Sequence, residues 1–312
     1  MELAPSLVCP SDHAALALAE DRASYGCGRC GQKYPVQDRV VRFLAEDDAF
    51  YEGRYFNTVR WLPRHDGAPW DWPLWLMTSG YVWAVRRHVP AGSTLLEVGC
   101  ASGIRYFSQR YRAIGLDLSA ASLARVADLY STCLQADLTR GIPLPDGSLD
   151  AAVSSFVWEH ILPAQKPAVL AELRRVLRPG GKLIFLYDVD GRHPLYRRMQ
   201  AADPALFQEI LIDREGHTGW QSAAENAASF EAAGFRMREH RGKEKLLIGP
   251  AMYDKVQHWP GALRALARVG IRFRFGWRFQ LYNAANRALD ETLGRVLPES
   301  WARVMVSVCE RT

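Results

Sequence analysis

The sequence predicts an α/β protein organised around one strand–turn–helix–strand unit, Thr94 to Asp117. A short apolar run, Leu95 to Val98, has the length of a buried strand. A glycine-rich turn follows, then a predicted helix from Ile104 to about Tyr111 and a second strand, Ala113 to Leu118, with Asp117 near its end. A strand, a glycine turn, a helix and a strand that ends in an acid form the first half of a nucleotide-binding βαβ unit.

The turn in this unit reads G-x-A-x-G, and its small residues are Gly99, Ala101 and Gly103. Glycines there let the backbone approach a ligand closely, because they carry no side chain. Asp117 suits a ribose, because one carboxylate can accept hydrogen bonds from both hydroxyls of the diol. A dinucleotide-binding turn needs a small residue where Ile104 stands, so the sequence argues against a pyrophosphate over the helix N-terminus.

Three later segments extend the predicted sheet. Gln135 to Leu138 reads QADL and comes about one βα unit after the first acid. Pro145 to Asp150 reads PDGSLD and leads into an apolar strand that is followed by the dipeptide Glu159-His160. A helix then stops at the Pro-Gly-Gly of LRPGG, before a further buried strand from Leu183 to Tyr187.

Taken in this order, PDGSLD, Glu-His and LRPGG, with Glu97 ahead of the glycine turn, resemble one branch of a known enzyme family. It is the ubiquinone- and menaquinone-type branch of the class I S-adenosylmethionine-dependent methyltransferases, and the resemblance covers roughly residues 91–241. It implies methyl transfer with S-adenosylmethionine as cofactor, and a Rossmann-like seven-stranded methyltransferase sheet with helices on both faces. It says little about the molecule that accepts the methyl group.

By the same resemblance, the glycine turn passes under the methionine part of the cofactor. Asp117 would hold the ribose hydroxyls, and Asp137 would lie near the adenine amine. Ala101 stands where the family usually has its central glycine. The cofactor-binding residues implied in this way are Glu97, Gly99, Ala101, Gly103, Asp117, Leu118, Asp137, Leu138 and Phe156.

The composition is that of a globular protein: 312 residues, of which 48% are hydrophobic and 23% charged. This length allows one large domain plus an appendage. The sequence has no apolar run of the ~18 residues that a membrane helix needs, and its first residues do not read as a signal peptide. Six scattered cysteines do not form a disulfide pattern, so a cytoplasmic location is predicted. The net charge of +5 is too mild to establish a nucleic-acid partner.

Residues 1–45 form a zinc-ribbon-like module. Cys27 and Cys30 make a C-x-x-C knuckle, in which two thiolates on one tight turn can reach one tetrahedral ion, and Cys9 offers a third. The segment resembles the small zinc-ribbon module in front of some bacterial methyltransferases, which usually has two C-x-x-C pairs. Here the first pair lacks a cysteine, so either Asp12 or His13 is the fourth zinc ligand, or the ribbon holds no metal.

Residues 46–90 are predicted to form an aromatic helical lid segment, broken by several prolines. Most of its rings are expected to pack over the sheet. Segments before the first strand often cover the site in the resembled family, so some of these rings are predicted to line an acceptor pocket. The candidates are Tyr51, Tyr55, Trp72 and Trp75.

The methyltransferase domain is predicted over residues 91–312. Asp188 and His193 follow the fifth strand at the carboxyl edge of the sheet, where open α/β sheets bind ligands, and are predicted to contact the acceptor. The final strand is expected to form a hairpin with a sixth strand, Phe235 to His240. Between them, residues 245–300 form a helical cap insertion in which arginines alternate with aromatic residues. Its arginines are solvated in the simplest interpretation, while a peripheral membrane or lipid-head-group contact and an RNA contact stay open.

Methyl transfer from a sulfonium is an in-line displacement, so the protein mainly positions two reactants. A base is needed only for an acceptor that must lose a proton, and the candidates are His160 and His217. His193, a carboxylate such as Asp188, or no base at all stay open as alternatives. The aromatic walls favour a small hydrophobic or aromatic acceptor, such as a secondary metabolite or a quinone-like, glycan or lipid precursor. One alternative is an rRNA or tRNA base methyltransferase, because a zinc ribbon ahead of this fold also resembles an rRNA-modifying enzyme. The other is a non-catalytic protein of this fold, against which the intact Gly99, Gly103 and Asp117 argue.

Overall fold

The computed structural model describes residues 6–55, 80–100 and 103–312. The strands are β1 (Leu16–Leu18), β2 (Ser24–Cys27), β3 (Lys33–Gln37), β4 (Val40–Arg42), β5 (Thr94–Val98), β6 (Arg112–Asp117), β7 (Thr132–Gln135), β8 (Leu149–Ser155), β9 (Leu177–Asp188), β10 (Phe235–Lys243) and β11 (Val304–Arg311). The α-helices are α1 (Tyr81–His88), α2 (Arg105–Arg110), α3 (Ala120–Val126), α4 (Lys166–Val176), α5 (Pro194–Ala202), α6 (Pro204–Phe207), α7 (Ala223–Ala232), α8 (Tyr253–Val256), α9 (Gly261–Gly270) and α10 (Gly276–Glu291). Short π-helical turns lie at Phe50–Tyr55 and Gln208–Asp213, and 3₁₀ turns at Leu138–Arg140, Trp158–His160, Pro250–Met252, Ile271–Phe273, Leu293–Arg295 and Glu299–Trp301.

The strands form one sheet in the order β1-β2-β3-β4-β7-β6-β5-β8-β9-β11-β10. Strands β7, β6, β5, β8 and β9 are parallel, and β11 runs antiparallel between β9 and β10. This confirms the predicted α/β class. The chain order of the parallel strands reverses between β5 and β8, and ligands of open α/β sheets bind at the carboxyl ends of strands beside such a reversal.

The predicted sheet has its seven strands, β7, β6, β5, β8, β9, β11 and β10, and the N-terminal strands β1 to β4 extend it at the β7 edge, which the sequence did not predict. Strand β4 pairs in parallel with β7, so that Val40 lies opposite Cys133 and Val41 opposite Leu134. Without this pairing β7 would be an exposed edge strand with unpaired backbone groups. Both β4 valines are buried, so the N-terminal hairpins share the hydrophobic core of the parallel sheet.

Two strands are longer than the sequence predicts. Helix α4 ends at Val176, ahead of the Pro-Gly-Gly, but β9 starts at once at Leu177 and runs to Asp188. Strand β10 continues to Lys243 because its antiparallel pairing with β11 does. In both places the neighbouring strand sets the length.

The insertion between β10 and β11 is helical, as predicted. Its helices α8 and α9 pack on α5 and α6 through a separate apolar cluster that includes Met199, Phe207, Met252 and the fully buried Trp259. The indole of Trp259 donates a hydrogen bond of 2.9 Å to the carbonyl of Met199. Over the described part of the chain, no helix combines the length and the apolar character needed to cross a membrane.

Candidate active site

The turn after β5 is described at its two glycines, Gly99 and Gly103. Gly99 and Gly103 have φ values of 70° and 64°, a left-handed region that other residues adopt at a cost. A Cβ on Gly99 would lie 2.1 Å from Cγ2 of Val157, and one on Gly103 would lie 2.6 Å from Cδ1 of Leu129. Glycine is therefore required at both positions. Ala101 lies outside the described residues.

Asp117 ends β6 beside this turn, and its side chain is largely buried. Its Oδ1 accepts a hydrogen bond of 3.0 Å from the amide of Ser119. A carboxylate has about four acceptor sites, so this bond leaves capacity for the hydroxyls of a ribose. A carboxylate acceptor fits the ribose of the predicted cofactor, and the ribose contact itself stays a prediction.

Glu97 lies within the sheet, on β5, and its carboxyl group is 3% exposed. Its Oε2 accepts a hydrogen bond of 2.7 Å from the hydroxyl of Tyr130. Burial raises the pKa of Glu97 to about 8, and the charge of Asp117 adds to this shift while the bond from Tyr130 opposes it. The hydrogen bond to Tyr130 suits a structural role for Glu97 in the strand just before the glycine turn.

The predicted adenine side lies at the end of β7. Asp137 caps the following 3₁₀ turn, where its Oδ1 accepts bonds from the amide of Thr139 at 2.9 Å and from its hydroxyl at 2.7 Å. Leu138 is buried beside it, and Leu118 is half-buried. The carbonyl of Leu118 accepts a bond of 3.1 Å from the side-chain amide Nε2 of Gln135. The adenine contact of these residues stays a prediction.

The π-helical turn Phe50–Tyr55 contacts both the segment after β6, on the predicted cofactor side, and the loop around Gly216, on the predicted acceptor side. At one end, Glu52 accepts hydrogen bonds from the hydroxyl of Ser119 at 3.1 Å and from the amide of Ala121 at 3.3 Å, at the start of α3. At the other, the ring of Phe50 lies over Gly216, where a Cβ would come within 3.4 Å of it. Sequence analysis missed Glu52, whose only signal was its place between two aromatic residues.

Tyr51, in the middle of this turn, is a predicted acceptor contact. Burial raises the pKa of its hydroxyl to about 12, and the negative charges of Asp48, Asp117 and Glu159 add to this. Tyr51 thus lies near both Asp117, the predicted ribose contact, and Glu159, which follows β8. The other predicted lid contacts, Trp72, Trp75 and the side chain of Tyr55, lie outside the described residues.

Phe156, a predicted cofactor contact, follows the last residue of β8 and has a φ of 58°. A left-handed conformation at a bulky residue costs on the order of 1–3 kcal/mol and often marks a functional site. The amide of Phe156 donates to the carbonyl of Leu186 at 2.8 Å, and the guanidinium of Arg303 lies 5.9 Å from its ring centre.

His160 lies in the 3₁₀ turn after β8. Its Nδ1 is 3.0 Å from the carbonyl oxygen of Gly216, and because a carbonyl only accepts, Nδ1 is the donor. Burial lowers the pKa of His160, so the ring is neutral near pH 7. In that tautomer Nε2 carries a lone pair, which can take a proton or bind a metal ion.

His217 lies beside His160, with 5.1 Å between the ring centres. Burial lowers its pKa to about 2, and the neighbouring His160 adds to this shift. Its Nε2 is 4.0 Å from Oδ2 of Asp188. The structure therefore brings together the two histidines predicted from separate segments.

The loop 216–219 holds both histidines in place. The amide of Gly219 donates to the carbonyl of Glu159 at 2.8 Å, and the hydroxyl of Thr218 donates to the carbonyl of His160 at 3.0 Å. A Cβ on Gly219 would lie 1.8 Å from the carbonyl oxygen of Ile161, so the two backbones are in close contact. Lys166 also holds this loop, because its Nζ donates a hydrogen bond of 2.7 Å to the carbonyl of Gly219.

Asp188 belongs to a buried ion-pair network that the sequence analysis did not find. Arg303 donates from Nη1 to Oδ1 of Asp188 at 2.7 Å and from Nε to Oε2 of Glu244 at 2.5 Å. All three side chains are almost inaccessible to solvent. The one sequence signal was a lone arginine at the start of the apolar final strand.

His193 is 3% exposed and caps helix α5, where its Nδ1 accepts a bond of 3.2 Å from the amide of Leu195. Burial lowers the pKa of His193 to about 4, and the charge of Arg303 contributes. This bond gives His193 a local structural role, and its predicted contact with the acceptor stays a prediction.

The N-terminal cysteines form a second cluster. Cys9, Asp12, Cys27 and Cys30 each bring one ligand atom to within 4.8 Å of the others, and every cysteine of the chain is a free thiol. Sγ of Cys9 is 3.6 Å from Sγ of Cys30, and Sγ of Cys27 is 3.5 Å from Oδ2 of Asp12. A tetrahedral zinc ion separates such ligands by about 3.5–3.8 Å, so this set fits zinc. His13 is exposed and is not part of the group.

Comparison with known proteins places methyltransferases among the proteins that this chain is similar to. Residues 96–185 match the family model described as a methyltransferase domain. The chain is 40% identical to a malonyl-[acyl-carrier protein] O-methyltransferase of Serratia marcescens over 101 residues, 30% of this chain and 38% of that protein. It is 31% identical to a probable S-adenosylmethionine-dependent methyltransferase of Mycolicibacterium smegmatis over 175 residues, 54% of this chain and 62% of that protein.

Among solved structures, the cyclopropane synthase MmaA2 of Mycobacterium tuberculosis aligns with a TM-score of 0.48 at 15% identity, covering 74% of this chain and 82% of that one. The chain spans less than two thirds of the length of the two sequence relatives above.

Proposed function

We propose that the chain transfers a methyl group from S-adenosylmethionine to a small molecule. The observation that carries this proposal is the arrangement around the reversal point of the sheet. Asp117 and the glycine turn lie on one side of it, the neutral His160 lies on the other, and the turn Phe50–Tyr55 reaches both.

S-adenosylmethionine, when bound, supplies a methyl group on a positively charged sulfur. The chain's own task is to bind and orient. Asp117 accepts the ribose hydroxyls, the glycine turn admits the methionine part, and Asp137 lies at the adenine end. His160 lies at the acceptor side, where a neutral ring nitrogen can take a proton from the acceptor.

The acceptor side is built mainly from rings, including Phe50, Tyr51 and Phe156, together with the two histidines. Such walls suit a hydrophobic or aromatic small molecule. The similarity to a malonyl-[acyl-carrier protein] O-methyltransferase supports a small acceptor group and transfer to oxygen as the first reaction to test.

A labelled-methyl experiment tests this proposal. The full chain is incubated with S-adenosylmethionine that carries a tritiated methyl group and with a metabolite extract. We expect the label in a small, RNase-resistant product, and its loss in His160→Asn while cofactor affinity is kept. Label in RNase-sensitive material would support an RNA base methyltransferase instead, and a chain that fails to bind the cofactor would be the non-catalytic alternative.

We further propose that the N-terminal cluster holds one structural zinc ion, bound by Cys9, Cys27, Cys30 and Asp12. The separations of 3.5 and 3.6 Å between these ligand atoms support it, because they match tetrahedral coordination. Such an ion would fix the hairpins whose last strand, β4, completes the edge of the sheet at β7.

A further inference from the structure

A second group of metal-binding side chains lies on the acceptor side of the site. Glu159, His160 and His217 each bring one ligand atom to within 4.8 Å of the others. In a tetrahedral site, nitrogen and oxygen ligands lie about 3.3–3.5 Å apart, so small side-chain rotations would close this group around an ion. The loop 216–219, which holds both histidine segments, supplies the rigid support that such a site needs.

Among the three side chains, Glu159 gives the strongest support for a bound ion. Its side chain is 1% exposed, and neither carboxylate oxygen has a hydrogen-bond partner of normal geometry among the described residues. Burial raises its pKa well above the ordinary value, the charge of Asp188 adds to this, and nearby backbone amides and Arg303 only partly oppose it. A buried carboxylate without a partner is costly, and a bound cation would remove that cost.

His160 also has the supporting contact that metal-bound histidines usually have, and His217 has a carboxylate near the corresponding position. Such a ring binds the ion through one nitrogen and donates from the other to a carbonyl or a carboxylate. His160 donates from Nδ1 to the carbonyl of Gly216 at 3.0 Å. In His217, Nε2 faces Asp188 at 4.0 Å, and Nδ1 has no hydrogen-bond partner in the described part of the chain.

We infer that Glu159, His160 and His217 bind a divalent transition-metal ion, with coordination positions left for an acceptor that offers an oxygen atom. Two imidazoles and one carboxylate suit zinc, iron, cobalt or nickel better than magnesium or calcium, which prefer oxygen ligands. An acceptor with a hydroxyl, carboxylate or keto oxygen near the methylated atom is the class that this site would take.

This inference rests on the proposed function only for the identity of the acceptor, because ion binding needs no cofactor. With an ion bound, Nε2 of His160 is a ligand, and the ion rather than the imidazole would promote loss of the acceptor's proton. Both histidines would then affect the acceptor through the ion that they bind.

The test uses the full chain, stripped of metal with a chelator and titrated with Co²⁺. Thiolate ligands give cobalt an intense charge-transfer absorption, whereas nitrogen and oxygen ligands give only weaker visible bands. We expect both kinds of spectrum in the wild type, and the weaker bands alone in a Cys30→Ser background. In that background Glu159→Gln should weaken Co²⁺ by about a hundredfold or more, since even the loss of a supporting contact costs 10–100-fold.

Glu209→Gln is the matched control, because Glu209 is 60% exposed, pairs with Arg214 and is not part of the group. It should keep the affinity for Co²⁺. His217→Gln provides a second removal of a ligand in case Glu159→Gln does not fold. Without metal, Glu159→Gln should be at least as stable as the wild type, because glutamine removes a buried group that has to be kept protonated.

Two results would overturn the inference: a wild type that shows only the thiolate spectrum, or weaker bands that survive in both Glu159→Gln and His217→Gln. Titration with S-adenosylmethionine separates this failure from failure of the proposed function. A wild type that binds Co²⁺ at both sites but does not bind S-adenosylmethionine would contradict the methyltransferase proposal and leave the ion site standing.

Discussion

Replacing Glu97 by glutamine should stabilise the protein at neutral and alkaline pH. The carboxyl group of Glu97 is 3% exposed, and burial raises its pKa from 4.5 to about 8. The folded chain therefore holds this proton more tightly than the unfolded chain does. Its contribution to stability is fully present below about pH 4.5, falls as the pH rises, and levels off above about pH 8.

The size of this effect follows from the two pKa values. Each pH unit between 4.5 and about 8 costs about 1.4 kcal/mol, so the ionisable group lowers the free energy of unfolding by about 5 kcal/mol at pH 8. Glutamine cannot ionise, and its carbonyl oxygen can still accept the bond from Tyr130 that is 2.7 Å long in the wild type. Glu97→Gln should thus remove most of the decrease in the free energy of unfolding between pH 4.5 and about 8.

Urea unfolding followed by tryptophan fluorescence, at about pH 5, 6.5 and 8, measures this directly. We expect the free energies of unfolding of the variant and the wild type to differ least at about pH 5 and most at about pH 8. Glu20→Gln, at an exposed position, controls for the loss of one carboxylate. A Glu97→Gln chain that is no more stable than the wild type at pH 8, with the same slope, would refute this reasoning.

Three further predictions concern the ion pairs, the lid and the ribbon. Arg303→Met should lower the free energy of unfolding by about 3–5 kcal/mol, because it leaves two buried carboxylates without their cation. The same change at the exposed Arg238 should have little effect, because solvent screens that pair, and equal losses in urea unfolding would contradict the network. Glu52→Ala should weaken S-adenosylmethionine about fivefold in calorimetry, since it removes a bond of about 1 kcal/mol to Ser119, and unchanged affinity would separate the lid from the cofactor site. Metal analysis should find one zinc ion fewer per chain in Cys30→Ser than in the wild type, and a wild type without zinc, with freely reactive thiols, would mean a metal-free ribbon.

The elements that the sequence predicts well are those fixed by local signals. The strand before the glycine turn, the turn itself and the strand that ends in Asp117 each carry a short pattern that needs no distant partner. His160 and His217 were both found as candidates from residue type and position. That they lie 5.1 Å apart depends on contacts across more than fifty residues, which no local pattern encodes.

The features that sequence analysis missed depend on long-range pairing. A three-residue strand such as β4 has too weak a pattern to reveal its partner β7. The bond between Arg303 and Asp188 joins residues 115 positions apart, and it forms only because β11 pairs with β9. Asp12 rather than His13 is the proposed fourth ligand because of the backbone, since His13 has a φ of 56° and an exposed side chain, while Asp12 faces the thiols.

Calorimetric titration with S-adenosylmethionine, comparing the wild type with Asp117→Ala, tests the central claim most directly. Loss of charge-assisted bonds of about 1.5–3 kcal/mol each should weaken binding tenfold or more. Asp146→Ala, at a side chain that is 77% exposed, should bind as the wild type does. A folded Asp117→Ala chain with unchanged affinity would contradict the placement of the cofactor, and a wild type that does not bind it would contradict the proposed function.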